Sequence, residues 1–420
     1  MFFLKNTNNK RIGLWLLYDF ANSLAFANLS FYFTLWLVED RNFSDMWVSI
    51  PAALATVCLL LTIPHFGSLS DRTGKRMVFL RTFSWLSIAC LFLIGLTALL
   101  SESKVMVAVV VVLYFCFLYF YQSSLVFYDA MLPTIAEGKS KERISGFGMA
   151  FGQTGNAVGI VLALLFVGGT FSFFGAEGRP VAFILGSILF LILSLPTLLF
   201  LKDSQSVTAH ALGKEKPFKQ TILSLKKIYQ NKPAFNFLIV YFLFSDALLT
   251  LQLFITLYLQ IVGGFSDTAK TILGAVGLLC AVFGALLSSF IARIFKSTHR
   301  AIKILIMAWA LCIMTLALAH SQMSFIVAII LNGIVFGSLY PLSRAYYSDL
   351  APKENQAEFF SVYSLFEKSA SIAGPLIWSS VVLAFAYLGE VTKYRFAMLS
   401  LAVLVLVSFF IFKSKHETQS

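Results

Sequence analysis

The chain has 420 residues, of which 59% are hydrophobic and only 12% are Asp, Glu, Lys or Arg. A soluble domain carries about twice that charged fraction, and 44 phenylalanines exceed what one water-soluble core can bury. This composition excludes a soluble globular protein and predicts an all-α membrane protein without a separate soluble domain. The net charge of +12 would also suit nucleic-acid binding, and its distribution along the chain decides between the two.

Apolar runs long enough to cross a bilayer recur along the whole chain. About 20 mostly apolar residues in a helix span the hydrocarbon core. We predict twelve transmembrane helices, at residues 12–38, 47–69, 77–99, 105–131, 146–168, 180–201, 234–262, 268–292, 301–320, 323–348, 359–388 and 394–412. An even number of spans puts both termini on the same side of the membrane.

The basic residues indicate which side this is. The N-terminus, the even-numbered loops and the C-terminal tail hold, within them or at their edges, 25 of the 32 Lys and Arg residues, and the odd-numbered loops hold six. Because basic loops stay in the cytoplasm, we predict that both termini are cytoplasmic. The charge is then a signal of topology, and we expect no nucleic-acid partner. Without a removable signal peptide, we expect a multi-pass protein of the bacterial inner (cytoplasmic) membrane.

A long polar and basic segment divides the spans into two groups of six. This segment, residues 202–233, predicts a cytoplasmic linker between an N-terminal six-helix bundle at 1–201 and a C-terminal six-helix bundle at 234–420. Within the linker, residues 216–229 have the pattern of a short amphipathic helix on the membrane surface, with Phe218, Ile222, Leu225 and Tyr229 on one stripe.

The two halves carry traces of a duplication. The segment "FYDAMLPTIAEGKSKERISGFGMAFGQTGNAVG" (127–159) and the segment "YYSDLAPKENQAEFFSVYSLFEKSASIAG" (346–374) share a pattern. In each, Tyr and Asp precede a Pro, a charged loop and a helix rich in small residues that ends in Gly. Parallel repeats of six spans build one large class of secondary transporters, in which the substrate path lies between the halves.

The loop after the second span contains a distinctive motif, "HFGSLSDRTGKR" (65–76). Its residues resemble the cytoplasmic signature of the major facilitator superfamily, and we assign them to a gate: Gly67, Asp71, Arg72, Gly74, Lys75 and Arg76. Glycine permits close helix approach and tight turns, and an acid can accept amide hydrogens at a neighbouring helix N-terminus. The alternative is a basic loop that only sets topology. The corresponding segment of the second half, 289–300, lacks the acid and both glycines.

Three further segments resemble one branch of that superfamily, the vacuolar amino-acid effluxer family of fungi and its bacterial relatives. They are "WLLYDFANS" (15–23), residues 128–159 and "PLSRAYYSDLAPKENQAEFFSVYSLFEKSASIAGP" (341–375). The resemblance implies a twelve-helix carrier with the major facilitator fold that exports amino acids or other small metabolites. This chain has Gln153, Thr154 and Asn156 where many relatives are more purely Gly-rich, and it is shorter than the fungal members.

A few polar and ionisable side chains lie at membrane depth, where they are costly and usually face a cavity or a partner. We assign five of these residues to a substrate or proton path: Asp19, Asn22, Asp246, Glu367 and Lys368. The alternative for Asp19 and Asn22, which share a helix face, is a polar contact that only holds helices together. Lys368 could neutralise Asp246 and leave Glu367 facing the cavity, or the reverse; a permanent structural ion pair is the alternative.

Other positions predict a gate and close helix packing. Asp129, at the end of the fourth span, is expected to pair with Arg72, Arg76 or Arg143, and Arg344 is its counterpart in the second half. Four glycines in the fifth span form small-xxx-small pairs that predict packing at the interface between the halves: Gly148, Gly152, Gly155 and Gly159. Gly374 and Pro375 predict a kink in the eleventh span.

No residue pattern predicts an enzyme, a cofactor or a metal site. The five cysteines lie in apolar runs without a CxxC motif, and the five histidines lack metal-ligand spacing. No nucleotide-binding loop is present, so ATP is not the energy source in this chain. We therefore predict a monomeric secondary transporter that moves a small molecule by alternating access, with protons as the candidate coupling ion. The alternative is a transport-fold sensor or scaffold without flux.

Overall fold

The computed structural model describes residues 7–100, 103–136, 141–170, 172, 178–203, 217–352 and 356–413, and these residues contain helices and no strands. Helices are expected because a lipid environment offers backbone groups no partner, so each spanning segment must satisfy its own hydrogen bonds. The fold prediction of an all-α membrane protein is confirmed. Contacts divide the chain into two compact units, Met1–Phe43 with Leu54–Pro217, and Ser44–Ala53 with Phe218–Ser420.

The described residues form seven helices before the polar segment. They are α1 (Thr7–Leu35), which continues as a π-helix (Trp36–Asp40), α2 (Met46–Thr73), α3 (Arg76–Leu100), α4 (Lys104–Ala130), the single turn α5 (Leu132–Ile135), α6 (Lys141–Val167) and α7 (Arg179–Phe200). The first turns of α2 belong to the second unit, and the rest of α2 belongs to the first.

Eight helices follow in the described part of the second half. They are α8 (Pro217–Gln230), α9 (Lys232–Ile261), α10 (Asp267–Ile294), α11 (Thr298–Leu318), α12 (Gln322–Leu350), α13 (Gln356–Ser369), α14 (Ala373–Ala384) and α15 (Glu390–Ile411), with a turn of 3-10 helix (Ala386–Leu388) before α15. The predicted linker helix is α8. Ile222 and Tyr229 on its apolar stripe are 49% and 65% exposed, so these two side chains do not pack into the protein core.

Eleven helices of the described chain are long and apolar enough to cross a membrane. They correspond to eleven of the twelve predicted spans. The exception is span 359–388, which consists of two helices of 14 and 12 residues, about 21 and 18 Å long. Neither alone reaches across a core of about 30 Å. The twelve-span count, the orientation and the predicted domain boundaries stay predictions.

Close packing in the first unit depends on the glycine face of α6. A Cβ added at Gly155 would collide with the Phe20 carbonyl of α1, and one at Gly159 with the Leu24 carbonyl. Gly155 and Gly159 therefore pack on α1 within their own unit, and the predicted packing at the interface between the halves stays a prediction. In the second unit, Gly284 and Gly337 bring α10 and α12 together in the same way, which the sequence analysis did not predict.

The corresponding turns of the two halves differ in their residues. Between α2 and α3, Gly74 adopts a left-handed φ of 65°, the conformation that favours glycine. Between α10 and α11, Lys296 adopts a φ of 53°, which costs a residue with a side chain about 1–2 kcal/mol. Both turns thus contain a residue with a left-handed φ, which is glycine in the first half and lysine in the second.

The α1–α6 contact gives a stability test. Gly159→Leu would place a branched side chain against the Leu24 carbonyl, and we expect the free energy of unfolding to fall by about 1–3 kcal/mol or more, the usual cost of overpacking. Thermal unfolding in detergent, followed by size-exclusion chromatography, measures this change. Gly13→Ala is the matched control, because no atom lies within 4 Å of the added Cβ. Equal unfolding temperatures for the two variants would contradict the packing model.

Candidate functional site

Asp19 lies on α1 and faces the glycine side of α6. A Cβ added at Gly152 would be 3.2 Å from Oδ2 of Asp19 and 3.2 Å from Oγ of Ser23. The small residues of α6 therefore leave room for this carboxylate beside the helix backbone. Gly148 is also near, since its Cβ would lie 3.6 Å from the same oxygen. Asp19 and the α6 glycines, predicted for separate roles, form one group.

Aromatic contacts fix the part of α1 that carries Asp19. Trp15 stacks on Tyr128 of α4 with ring centroids 4.4 Å apart, and its indole Nε1 donates to the Tyr128 carbonyl at 3.2 Å. Oη of Tyr18 lies 2.6 Å from Oγ of Ser84 on α3. These contacts hold the turn of α1 that precedes Asp19 against α3 and α4, so the position of the carboxylate is set by rigid neighbours.

Asn22 is one turn beyond Asp19 and is 1% exposed. Within the described residues, neither its amide nitrogen nor its amide oxygen makes a hydrogen bond of ordinary geometry. A buried polar group without a hydrogen bond is costly. Asn22 is therefore a group that a polar ligand or water would stabilise.

Asp246 is the second buried acid and lies on α9, fully buried. Neither carboxylate oxygen makes a hydrogen bond of ordinary geometry in the described part of the chain, although the backbone amide of Gly374 faces them. Thr250, one turn further along α9, donates its hydroxyl to the Asp246 carbonyl at 2.7 Å. Across the residues that the structure describes, the predicted neighbour Lys368 forms no ion pair with Asp246.

The break between α13 and α14 lies beside Asp246. A Cβ added at Gly374 would collide with Oγ1 of Thr250 and would lie 3.0 Å from Oδ1 of Asp246. Gly374 is the second residue of α14, so the carboxylate lies at the positive end of a short helix. Interrupted helices of this kind surround ions and substrates in secondary transporters. The predicted kink at Gly374 and Pro375 is a complete interruption at residues 370–372.

The second unit also contains a cluster of tyrosines and an ion pair between α12 and α13. Tyr241 of α9 stacks on Tyr363 of α13 with centroids 4.3 Å apart, and Tyr340 of α12 lies 6.0 Å from Tyr241. Arg344 and Glu367 approach to 3.9 Å and are 46% and 28% exposed. The sequence analysis placed these two residues in different roles, and the structure brings them together.

The predicted gate is ordered by contacts to helix ends. Arg76 donates to the Ala130 carbonyl at 2.7 Å, beside Asp129 at the end of α4. The backbone amide of Met77, the second residue of α3, donates to the Asp203 carboxylate at 3.0 Å. The side chain of Asp71, to which we assigned an amide-binding role, lies outside the described residues, as does that of Arg143. Arg72 is exposed, and an added Cβ at Gly67 would meet nothing within 4 Å.

Two acids were missed by the sequence analysis because they lie in loops. One is Asp203, after α7, and the other is Asp45, before α2, which is 2% exposed. Residues at helical depth stand out in an apolar run, whereas an acid between runs looks like ordinary loop polarity. Asp203 could have been found as an acid close in sequence to a helix end, but its partner Met77 is distant in the chain.

No group of three or more His, Cys, Asp or Glu side chains that could hold a metal occurs among the described residues. The five cysteines are free thiols. The polar groups of the two units therefore offer carboxylates, amides and hydroxyls, which suit a proton, an ammonium group or a small polar solute.

Known proteins resemble this chain along nearly its whole length. A family model described as "Vacuole effluxer Atg22 like" matches residues 44–417. The uncharacterised MFS-type transporter YxiO of Bacillus subtilis (strain 168) is 23% identical over 380 residues, with 88% of this chain and 87% of YxiO covered. Autophagy-related protein 22-1 of Penicillium rubens is 26% identical over 317 residues, with 66% of this chain and 50% of the fungal protein covered.

Two solved structures share the fold. The nucleoside transporter NupG superposes with a TM-score of 0.75 at 13% identity, and the match covers 97% of this chain and 99% of NupG. A bacterial homologue of the human lysosomal transporter Spinster, inward-facing and unoccupied, has a TM-score of 0.72 at 12% identity, with 99% and 98% covered. The TM-scores establish a shared architecture, whereas identities this low carry no information about the solute.

The contact of Gly374 with α9 gives a second test. Gly374→Ala would push α14 away from Thr250 and the Asp246 carbonyl, and we expect a loss of transport together with an unfolding free energy lower by about 1–3 kcal/mol. Adding Thr250→Ala should restore part of the loss, because one of the colliding atoms is removed. Gly277→Ala is the matched control, since its Cβ would make an ordinary contact of 3.4 Å with Ile329. A fully active Gly374→Ala protein would contradict this account.

Proposed function

The chain belongs to the vacuole effluxer Atg22-like family and is a transporter of the major facilitator type, and we propose that it exports amino acids by alternating access, driven by protons. Its homologues are transporters and not enzymes. We further propose that the protein acts as a monomer in a bacterial inner membrane, with both termini in the cytoplasm.

The observation that carries the proposal is Asp246. An ionised carboxylate in a low-dielectric interior costs several kcal/mol unless it is paired, and Asp246 is fully buried without an ionic partner in the described residues. Such a group is stabilised when it binds a proton or a cationic group. The α-ammonium group of an amino acid and a coupling proton are the two ligands that fit this chemistry.

Asp19 supplies a comparable group in the first unit. Its carboxylate lies beside the α6 backbone, and Asn22, one turn further along α1, is buried. Substrate and ion sites of repeat-built carriers lie where the repeats meet, and this chain has one buried or half-buried acid on the first helix of each half. We propose that Asp19 contributes to the solute site and that Asp246 carries the proton.

Several basic residues of the odd-numbered loops are bound by acids or by backbone carbonyls. Arg179 pairs with Asp40, Lys270 with Asp267 and Lys393 with Glu390. Arg395 donates to the carbonyls of Ala317 and Ala319. The orientation is proposed from the numbers, because the N-terminus, the even-numbered loops and the C-terminal tail hold most of the Lys and Arg residues.

Purified protein in liposomes tests the proposed function directly. Radiolabelled amino acids are offered singly, with and without an imposed pH gradient, and uptake is compared with empty liposomes. Uptake that accelerates with the gradient supports the proposal. Transport of other metabolites but no amino acid would overturn the solute assignment, and uptake indifferent to pH would overturn proton coupling.

Asp246→Asn separates proton coupling from solute binding. Because an amide cannot take up or release the proton, we expect gradient-driven accumulation to fall at least about tenfold, equivalent to about 1.4 kcal/mol, while exchange of labelled for unlabelled solute continues. Asp19→Asn should instead weaken both gradient-driven accumulation and solute exchange. Glu367→Gln tests whether Glu367 also contributes to the substrate or proton path. Glu390→Gln, at a largely exposed acid, is the control for removing a carboxylate. Unchanged accumulation in Asp246→Asn would contradict the assignment.

A further inference from the structure

Asp45 turns its carboxylate away from the helix that it precedes. Its carbonyl accepts the amide hydrogens of Val48 and Ser49, both at 3.0 Å, as expected at the start of α2. An acid in this position usually caps its own helix with its side chain. Here Oδ2 accepts from Nε1 of Trp378 at 3.0 Å and Oδ1 accepts from Oη of Tyr394 at 2.8 Å. Both carboxylate oxygens are thus hydrogen-bonded to side chains of α14 and α15.

Ser49 adds a second attachment on the same face of α2. Positions four apart lie one above the other on a helix, so Ser49 and Asp45 point to the same neighbours. Oγ of Ser49 donates to the Pro375 carbonyl at 2.7 Å and lies 2.6 Å from Oγ of Ser379. Both partners belong to α14, the short helix whose first turn lies beside Asp246.

These contacts all lie within the second unit, which includes Ser44–Ala53. The same helix continues from Leu54 as part of the first unit. A continuous helix that belongs to two units is held in each by its own contacts. Such a helix can change partners at this end only if its contacts with α14 and α15 are released.

We propose that Asp45 and Ser49, with Trp378, Ser379 and Tyr394, form a latch that holds the start of α2 on α14 and α15 in one state of the transport cycle and releases it in the other. The inference rests on the proposed alternating-access function, and it assigns Asp45 a positioning role without contact to the solute. It adds to the predicted gate at residues 65–76 a second gate at the other end of α2.

The latch is expected to respond to pH. Burial raises the pKa of the Asp45 carboxyl, and the hydrogen bonds from Tyr394 and Trp378 and the charge of Lys393 oppose this rise only in part. Lys393 itself is paired with Glu390, and α14 presents no titratable group to Asp45 among its described contacts. Because the pKa is higher in the latched state than in the released state, protonation favours the latched state, and the latch weakens as pH rises through that pKa.

Cysteine labelling measures the latch without any transported solute. Val48 is fully buried beside the latch residues and Ser44 is exposed, so Val48→Cys reports release and Ser44→Cys reports the intrinsic reaction rate at each pH. Both are placed in full-length protein whose five native cysteines are replaced by alanine, and the probe is a maleimide. The labelling rate at Val48→Cys is divided by the rate at Ser44→Cys, and this labelling ratio is compared between pH 5 and pH 8.

We expect the labelling ratio to rise with pH in the otherwise unchanged protein. Asp45→Ala, which leaves Trp378 and Tyr394 without their acceptor, should raise it at least about tenfold at pH 5, since one lost hydrogen bond to a buried group is worth that factor. Asp45→Asn keeps one acceptor oxygen without a titratable charge, so its ratio should be the same at both pH values. Ser49→Ala should raise the ratio, and Ser380→Ala, at an exposed serine of α14, should not.

Two results would overturn the latch. One is an unchanged ratio in both Asp45→Ala and Ser49→Ala, and the other is a ratio in Asp45→Asn that still rises with pH. Transport assays on the same variants are read separately. If wild-type protein moves no amino acid, the proposed solute is wrong, whereas the labelling ratios still decide whether the start of α2 is released.

Discussion

The energy of a carboxylate in an apolar interior is the constraint on which the other features of this protein depend. Water solvates a charge favourably, and a helix bundle in lipid removes this solvation. Asp19 and Asp246 both lie on the first helix of a half, and each is accommodated by a neighbour without a side chain, Gly152 in one unit and Gly374 in the other. Glycine here lets a helix backbone approach the acid closely.

The two halves meet this constraint in different ways. In the first unit the glycine helix, α6, is continuous and packs along α1. In the second unit the corresponding segment is divided into α13 and α14, and the glycine lies at the start of the shorter helix. A helix start carries partial positive charge and a continuous helix face does not, so the environments of the two acids differ electrostatically although the repeats are related. This difference underlies the division of roles proposed for Asp19 and Asp246.

Much of the architecture could be read from hydropathy, because a lipid-spanning helix requires a long apolar run. Eleven spans and the acids within the first helices follow from that requirement, and the linker helix follows from its amphipathic pattern. The break in span 359–388 could not be located, since "SASIAGP" fits both a kinked and a divided helix. The partners of polar groups were also inaccessible: Asp45 with Trp378 and Asp203 with Met77 join residues more than 100 positions apart, and the single sequence carries no signal for such pairs.

The left-handed lysine between α10 and α11 shows that corresponding turns of the two halves are defined by different means. Gly74 occupies its turn without strain, whereas Lys296 holds a comparable turn in a conformation that its side chain disfavours. A residue with a side chain keeps such a conformation only where the surrounding structure imposes it, and α10, packed closely on α12 through Gly284 and Gly337, provides a rigid frame on one side of the turn. The two turns are thus defined by different means, the first by its own residue and the second by the helices around it.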